Sequence, residues 1–179
     1  SQNILVSFDP LHPDIPVVKL ADFGLSRATN IQGYTFSSQV VTLWYRAPEL
    51  LLGFEDYSSE IDVWSFGCIL FELFTGKTLF NKLSEKEMIL AIFTKLGYQG
   101  ILEDQFFERC PRYNENSDIL KNLNFGSSVI IEEIKDKETN LLLVNILNII
   151  PSRRPSILKI KESGWFEACL DSIGFISKN

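Results

Sequence analysis

Residues 22–49 read DFGLSRATNIQGYTFSSQVVTLWYRAPE, opening on Asp22-Phe23-Gly24, closing on Ala47-Pro48-Glu49, and followed downstream by Asp62-Val63-Trp64-Ser65-Phe66-Gly67. The ordered combination of these three signatures carries far more information than any one of them. Around it, 179 residues that are 45% hydrophobic and 12% aromatic can bury a sizeable core and fit one domain or a large part of one. Disorder is excluded on the same grounds. A formal charge of −6 and a pI near 4.9 argue against nucleic acid or an anionic membrane as the main partner, since both need clustered positive charge. Cys68, Cys110 and Cys169 show no C-x-x-C spacing and accompany a single histidine, which indicates neither a zinc site nor a disulfide framework. The expected home is a reducing intracellular compartment. No apolar run approaches the roughly 18 residues of a membrane span, and no signal segment opens the chain, so a soluble protein is expected.

Upstream of the quoted stretch, Ile4–Val6 and Val17–Leu20 are short β-branched-rich runs separated by a segment with Pro10, Pro13 and Pro16. They predict a small hairpin with a long loop, in which His12 is a solvated loop residue rather than a catalytic base. Asn3-Ile4-Leu5-Val6 reads as a strand entered at full stride at the first residues, as in a piece of a longer protein. Downstream, residues 59–75 are almost continuously apolar. Ser59-x-x-Asp62 predicts a capping box at their start and Gly76 a C′ glycine at their end, around a helix central to the domain. Met88, Ile89, Ile92, Phe93 and Leu96 give a second helical stripe, and residues 141–150 a third that stops before Pro151. Residues 98–128 carry little periodicity and read as loop with short helical turns. The picture is mostly helical, with a hairpin near the start and neither an internal repeat nor a second domain.

The run from Val40 to Glu49, together with the Asp22 and Asp62 signatures, resembles the C-terminal lobe of a eukaryotic protein kinase, of the cyclin-dependent type within the CMGC group. The resemblance implies a mainly α fold and a partial kinase domain over residues 1–175, with 22–49 as its activation segment and the N-lobe lying upstream. ATP and Mg²⁺ are the implied cofactors, with Asn3 and Asp22 as metal ligands. Apart from the motif, Asn3 reads as a turn residue and Asp22 as a capping Asp. In the family pattern H-R-D-x-x-x-x-N the general-base Asp precedes Asn3 by five places, upstream of Ser1, so no catalytic base is present and the chain alone is expected to be inactive.

The same resemblance makes Ser37 the activating phosphosite, with Thr35 and Ser38 as alternatives, and Arg27 one of the arginines that would pair with its phosphate. An ordinary polar loop residue is the other reading of Ser37. Val40 and Val41 would shape the pocket for the residue after the phosphoacceptor, while Arg46 ties up a nearby carbonyl that an ordinary substrate N–H would seek. Proline has no such N–H. The implied activity is proline-directed Ser/Thr phosphorylation with Ser/Thr-Pro proteins as substrates, Thr42 supporting the missing base. A cyclin-like activator is an implied partner whose contact helix would lie upstream. Glu49 is expected to pair with Arg154 as a buried structural ion pair, and Asp62 to accept backbone N–H groups from the catalytic loop besides its capping role.

Some features depart from the family. The segment between Asn3 and Asp22 is long, Ile150 stands where an Asp usually precedes Pro151, and Ser163-Gly164 replaces the usual His-Pro. A pseudokinase or docking module is the competing reading, which intact Asn3, Asp22, Thr42 and Glu49 oppose. A mitogen-activated-type kinase is weakened because Thr35-Phe36-Ser37 lacks the Thr-x-Tyr doublet.

Overall fold

The computed structural model describes residues 2–24, 43–96, 105–113, 115, 120 and 133–172. The chain divides into two compact units, residues 1–37 and 38–179.

The first unit contains an antiparallel hairpin of β1 (Ile4–Asp9) and β2 (His12–Leu20). Pairing runs from Ile4↔Leu20 to Phe8↔Pro16 and then jumps to Asp9↔His12, so β2 carries extra residues between His12 and Pro16. The turn itself is short. Asp9 closes it by accepting the Leu11 N–H at 2.9 Å, the local bond that suits Asp to turns. The strands are therefore longer than the sequence predicts, and the long proline-rich loop is replaced by a bulged strand. Among the described residues the sheet has two strands, each with one side unpaired, and a bulge releases further ladder positions, so Pro13 and Pro16 cost little. His12 lies at the start of β2 rather than in a loop, and it is exposed. Leu5, Val6, Phe8, Val18 and Leu20 are exposed too, so the hairpin has no buried face of its own.

The second unit is helical: α1 (Pro48–Leu51), α2 (Glu60–Thr75), α3 (Glu85–Leu96), α4 (Lys137–Ile146), α5 (Ile157–Lys161) and α6 (Trp165–Ser172). Short 3-10 turns lie at Leu43–Tyr45, Phe107–Arg109 and Pro151–Arg153. Its core is built on α2, which buries Val63, Trp64, Gly67, Cys68, Leu70 and Phe71 among residues of α3 and α4. Trp64 stacks on Phe80 with ring centroids 6.1 Å apart. Gly67 is a packing requirement, because a Cβ there would lie 2.5 Å from Ile146 Cγ2 and 2.9 Å from Leu147 Cδ2. Within residues 98–128, the described part places Phe107, Cys110 and Tyr113 in the same core, with Phe107 and Tyr113 stacked at 4.9 Å.

Three local expectations change. Ser59 does not form a capping box with Asp62: its backbone is already helical (φ −63, ψ −12), and its hydroxyl makes no cap bond. The neighbouring Ser58 hydroxyl bonds Glu60 instead. The capping box forms at α3, where Glu87 N–H donates to Ser84 Oγ at 3.3 Å and Ser84 N–H to Glu87 Oε2 at 3.3 Å. Second, α2 is not covered on every side. Asp62 and Leu73 are exposed, and Phe66 and Ile69 between them at helical spacing are only half-buried. Third, α4 ends at Ile146 rather than Ile150. Ile150 precedes a proline and is extended (φ −80, ψ 115), while the carbonyls of Asn148 and Ile149 turn toward Arg154. At the other end of α2 the expected glycine stop is present, with Gly76 at φ 69 donating to Glu72 O at 2.8 Å.

Candidate active site

Asn3 and Asp22 both lie at the open end of the hairpin. Ala21 N–H donates to Asn3 O at 2.9 Å, one step beyond the Ile4↔Leu20 pair, so Asp22 follows directly after the residue opposite Asn3. Asp22 has φ 60, a left-handed conformation uncommon outside glycine and found preferentially for Asn and Asp. Its Oδ1 accepts a long bond from Gly24 N–H at 3.4 Å. Both residues are exposed, so two oxygen-bearing side chains of the kind that hold Mg²⁺ stand in solvent at one end of a fixed ladder. Arg27, Thr35, Ser37, Ser38, Val40, Val41 and Thr42 lie outside the described residues.

The end of the quoted stretch is anchored far more deeply. Glu49 and Arg154 are paired twice, Nη1 to Oε1 at 2.7 Å and Nη2 to Oε2 at 2.7 Å, with both side chains at 0% exposure. The guanidinium also donates from Nε to Asn148 O at 2.7 Å, from Nη1 to Glu60 O at 2.9 Å and from Nη2 to Ile149 O at 3.2 Å. Every guanidinium N–H thus has an acceptor, the condition under which a buried charge is tolerated. The plane lies over Trp64 at 5.1 Å. Arg154 therefore ties α1 to α2 and to the turn before α5.

Just ahead of α1, the Leu43–Tyr45 turn is held on α2 by two bonds the sequence did not reveal. Ser65 Oγ donates to Tyr45 O at 2.9 Å, and Tyr45 Oη donates to Glu72 Oε2 at 2.7 Å. Burial, reinforced by the Glu72 carboxylate, pushes the Tyr45 phenol up to about 12, so it remains a neutral donor. Arg46 donates to Glu85 Oε1 at 3.1 Å. Asp62 makes no side-chain hydrogen bond among the described residues, and although the residue is exposed as a whole, desolvation by its neighbours raises the carboxyl above the usual range. Cys68 and Cys110 are buried, and burial drives both thiols up, which leaves them unreactive. A cavity of about 230 Å³ opens beside Glu49, lined among others by Phe54, Tyr57, Phe106 and Arg109; apart from Glu49, its lining includes none of the residues singled out from sequence.

A family model described as the protein kinase domain matches residues 1–166. The chain belongs to the protein kinase domain family. In this kinase chain, Asn3, Asp22 and Glu49 all lie within the matched span. Among the described residues, no helix is long and apolar enough to cross a membrane.

Signals for the missed residues differ. Ser84-x-x-Glu87 was legible as a capping box, whereas the Tyr45–Glu72 and Arg46–Glu85 pairs join positions distant in sequence and have no local signature.

Proposed function

We propose that the chain is the C-terminal-lobe part of a proline-directed Ser/Thr protein kinase of the cyclin-dependent type, active when joined to the upstream residues that carry the general base. The observation that carries an active rather than a docking role is the placement of Asn3 and Asp22, both exposed, at the same end of the hairpin. Asp22 is held at φ 60 one residue beyond the position opposite Asn3, a left-handed conformation that supports a functional placement of its carboxylate. The donor set fits Mg²⁺, a hard cation that takes oxygen ligands and retains several waters, so a third protein ligand is not required. When bound, Mg²⁺ with ATP supplies neutralisation of phosphate charge during transfer. Asn3 and Asp22 would hold the metal.

The half-covered stripe of α2 supports the partial-domain reading. Asp62 is desolvated and has no partner among the described residues, at the position where the family resemblance places the catalytic loop. Activity on Ser/Thr-Pro substrates is proposed from Val40, Val41 and Arg46, with Thr42 assisting the base. Ser37 is proposed as the activating phosphosite, read by Arg27 and arginines upstream. A cyclin-like activator and an intracellular location complete the reading.

The test is Mg²⁺-dependent ATP binding and peptide phosphorylation by the full-length protein, wild type against Asp22→Asn. Wild type should bind ATP with Mg²⁺ and phosphorylate Ser-Pro peptides, and the variant should lose at least about 100-fold in rate. A wild-type protein that ignores Mg²⁺-ATP would replace this proposal by the docking-module reading.

A further inference from the structure

Arg46 leaves the chain between the Leu43–Tyr45 turn and α1, where its own N–H is fixed by Leu43 O at 3.0 Å. Among the described residues its guanidinium is ion-paired with Glu85, the first residue of α3. Glu85 divides its carboxylate: Oε1 accepts from Arg46 at 3.1 Å, and Oε2 accepts from Arg112. Arg112 is itself held in place, its backbone N–H donating to Leu52 O at 3.0 Å. The carboxylate is thus fixed by a helix start, where negative charge is favourable, and by a second guanidinium from a distant segment.

We infer that Glu85 is a positioning residue for substrate selection, acting through Arg46. This rests on the reading that Arg46 sets the preference for proline after the phosphoacceptor. The Arg46 and Glu85 side chains are 26% and 40% exposed, so packing covers much of the Arg46 stem while the direction of its charged head is set by the bond to Glu85. Glu85 takes one N–H of Nη1, and among the described residues no other acceptor is bonded to the guanidinium, whose remaining N–H groups can serve a backbone carbonyl. Without Glu85 the guanidinium loses the bond that orients it and its hold on that carbonyl weakens, which relaxes selection against residues other than proline.

The experiment compares kcat/KM of the full-length kinase on peptides identical except for Pro or Ala after the phosphoacceptor Ser. Glu85→Ala should lower the Pro:Ala ratio by about threefold, the scale of a partly exposed ion pair, with Glu85→Gln between it and wild type. Arg112→Gln, which spares the Arg46–Glu85 bond but removes one hold on the carboxylate, should lower the ratio by less than Glu85→Ala does. If Glu85→Ala lowers the melting temperature and leaves the ratio unchanged, Glu85 is structural only and the inference falls. A ratio lowered equally by Arg112→Gln also overturns it, because the effect would then belong to the whole ion cluster. A wild-type enzyme without proline preference overturns the underlying reading and this inference with it, and the wild-type arm alone reveals that case.

Discussion

The hairpin and the α1 anchor come from the two ends of one sequence signature, and they hold their charged residues in opposite ways. Asp22 and Asn3 stand exposed on a two-stranded ladder with almost no bonds to their side chains. Glu49 and Arg154 are sealed from solvent, with every guanidinium N–H satisfied. A carboxylate proposed to hold a metal has to keep free lone pairs, whereas a structural ion pair must use all of its own. Burial thus separates the proposed metal ligands from the residues that hold the frame.

The largest effect that would break this contrast is removal of one member of the buried pair. Arg154→Met should destabilise the helical unit by about 3–5 kcal/mol, because it strands the Glu49 carboxylate in the core, as urea titration would show. A loss below about 1 kcal/mol would mean that Glu49 reaches water. Gly67→Ala comes next, at about 1–3 kcal/mol, since the added methyl must push Ile146 and Leu147 away from α2.

Tyr45→Phe should cost about 1–2 kcal/mol by removing a donor from the Glu72 carboxylate. Its pH dependence has a definite sign. The folded chain raises the Tyr45 phenol from 10.0 to about 12, so the advantage of wild type is complete below about pH 10 and shrinks as pH rises toward 12. Melting curves of both proteins from pH 8 to the highest pH at which the chain stays folded would register a narrowing gap; a constant gap would assign the bond a different character.

Smaller effects sharpen the comparison. Ser84→Ala should lose about 1 kcal/mol with the α3 capping box, while Ser59→Ala should stay within about 0.5 kcal/mol because its hydroxyl caps nothing. Asp22→Asn should leave thermal stability within about 0.5 kcal/mol, since the side chain is exposed, in contrast to its effect on Mg²⁺-ATP binding. A strongly destabilised Asp22→Asn would place Asp22 with Glu49 among the frame residues.

Much of this was legible from the chain alone, and for identifiable reasons. The three signatures announced the family, Gly76 marked the end of α2, and the apolar stripe from Met88 to Leu96 gave α3, because each rests on local spacing. Where the reading failed, the deciding interaction was non-local. Residues 147–150 continue the apolar pattern of α4, yet the backbone turns there because its carbonyls serve Arg154. Pro13 and Pro16 predict a loop, but their strand has a free edge and a bulge. Ser59 matched a cap motif, and its helical backbone angles removed the geometry the motif requires.

By itself, then, the sequence determined membership of the kinase domain family and the mainly helical character of the second unit, since these follow from residue type and spacing. The resemblance already implied the Glu49–Arg154 pair; only the tertiary structure decided the remaining partners. It gave the Arg154 guanidinium the carbonyls of Asn148, Ile149 and Glu60, joined Tyr45 to Glu72 and Arg46 to Glu85, and demanded glycine at position 67. Desolvation and close packing arise from residues far apart in the chain, and no local pattern encodes them.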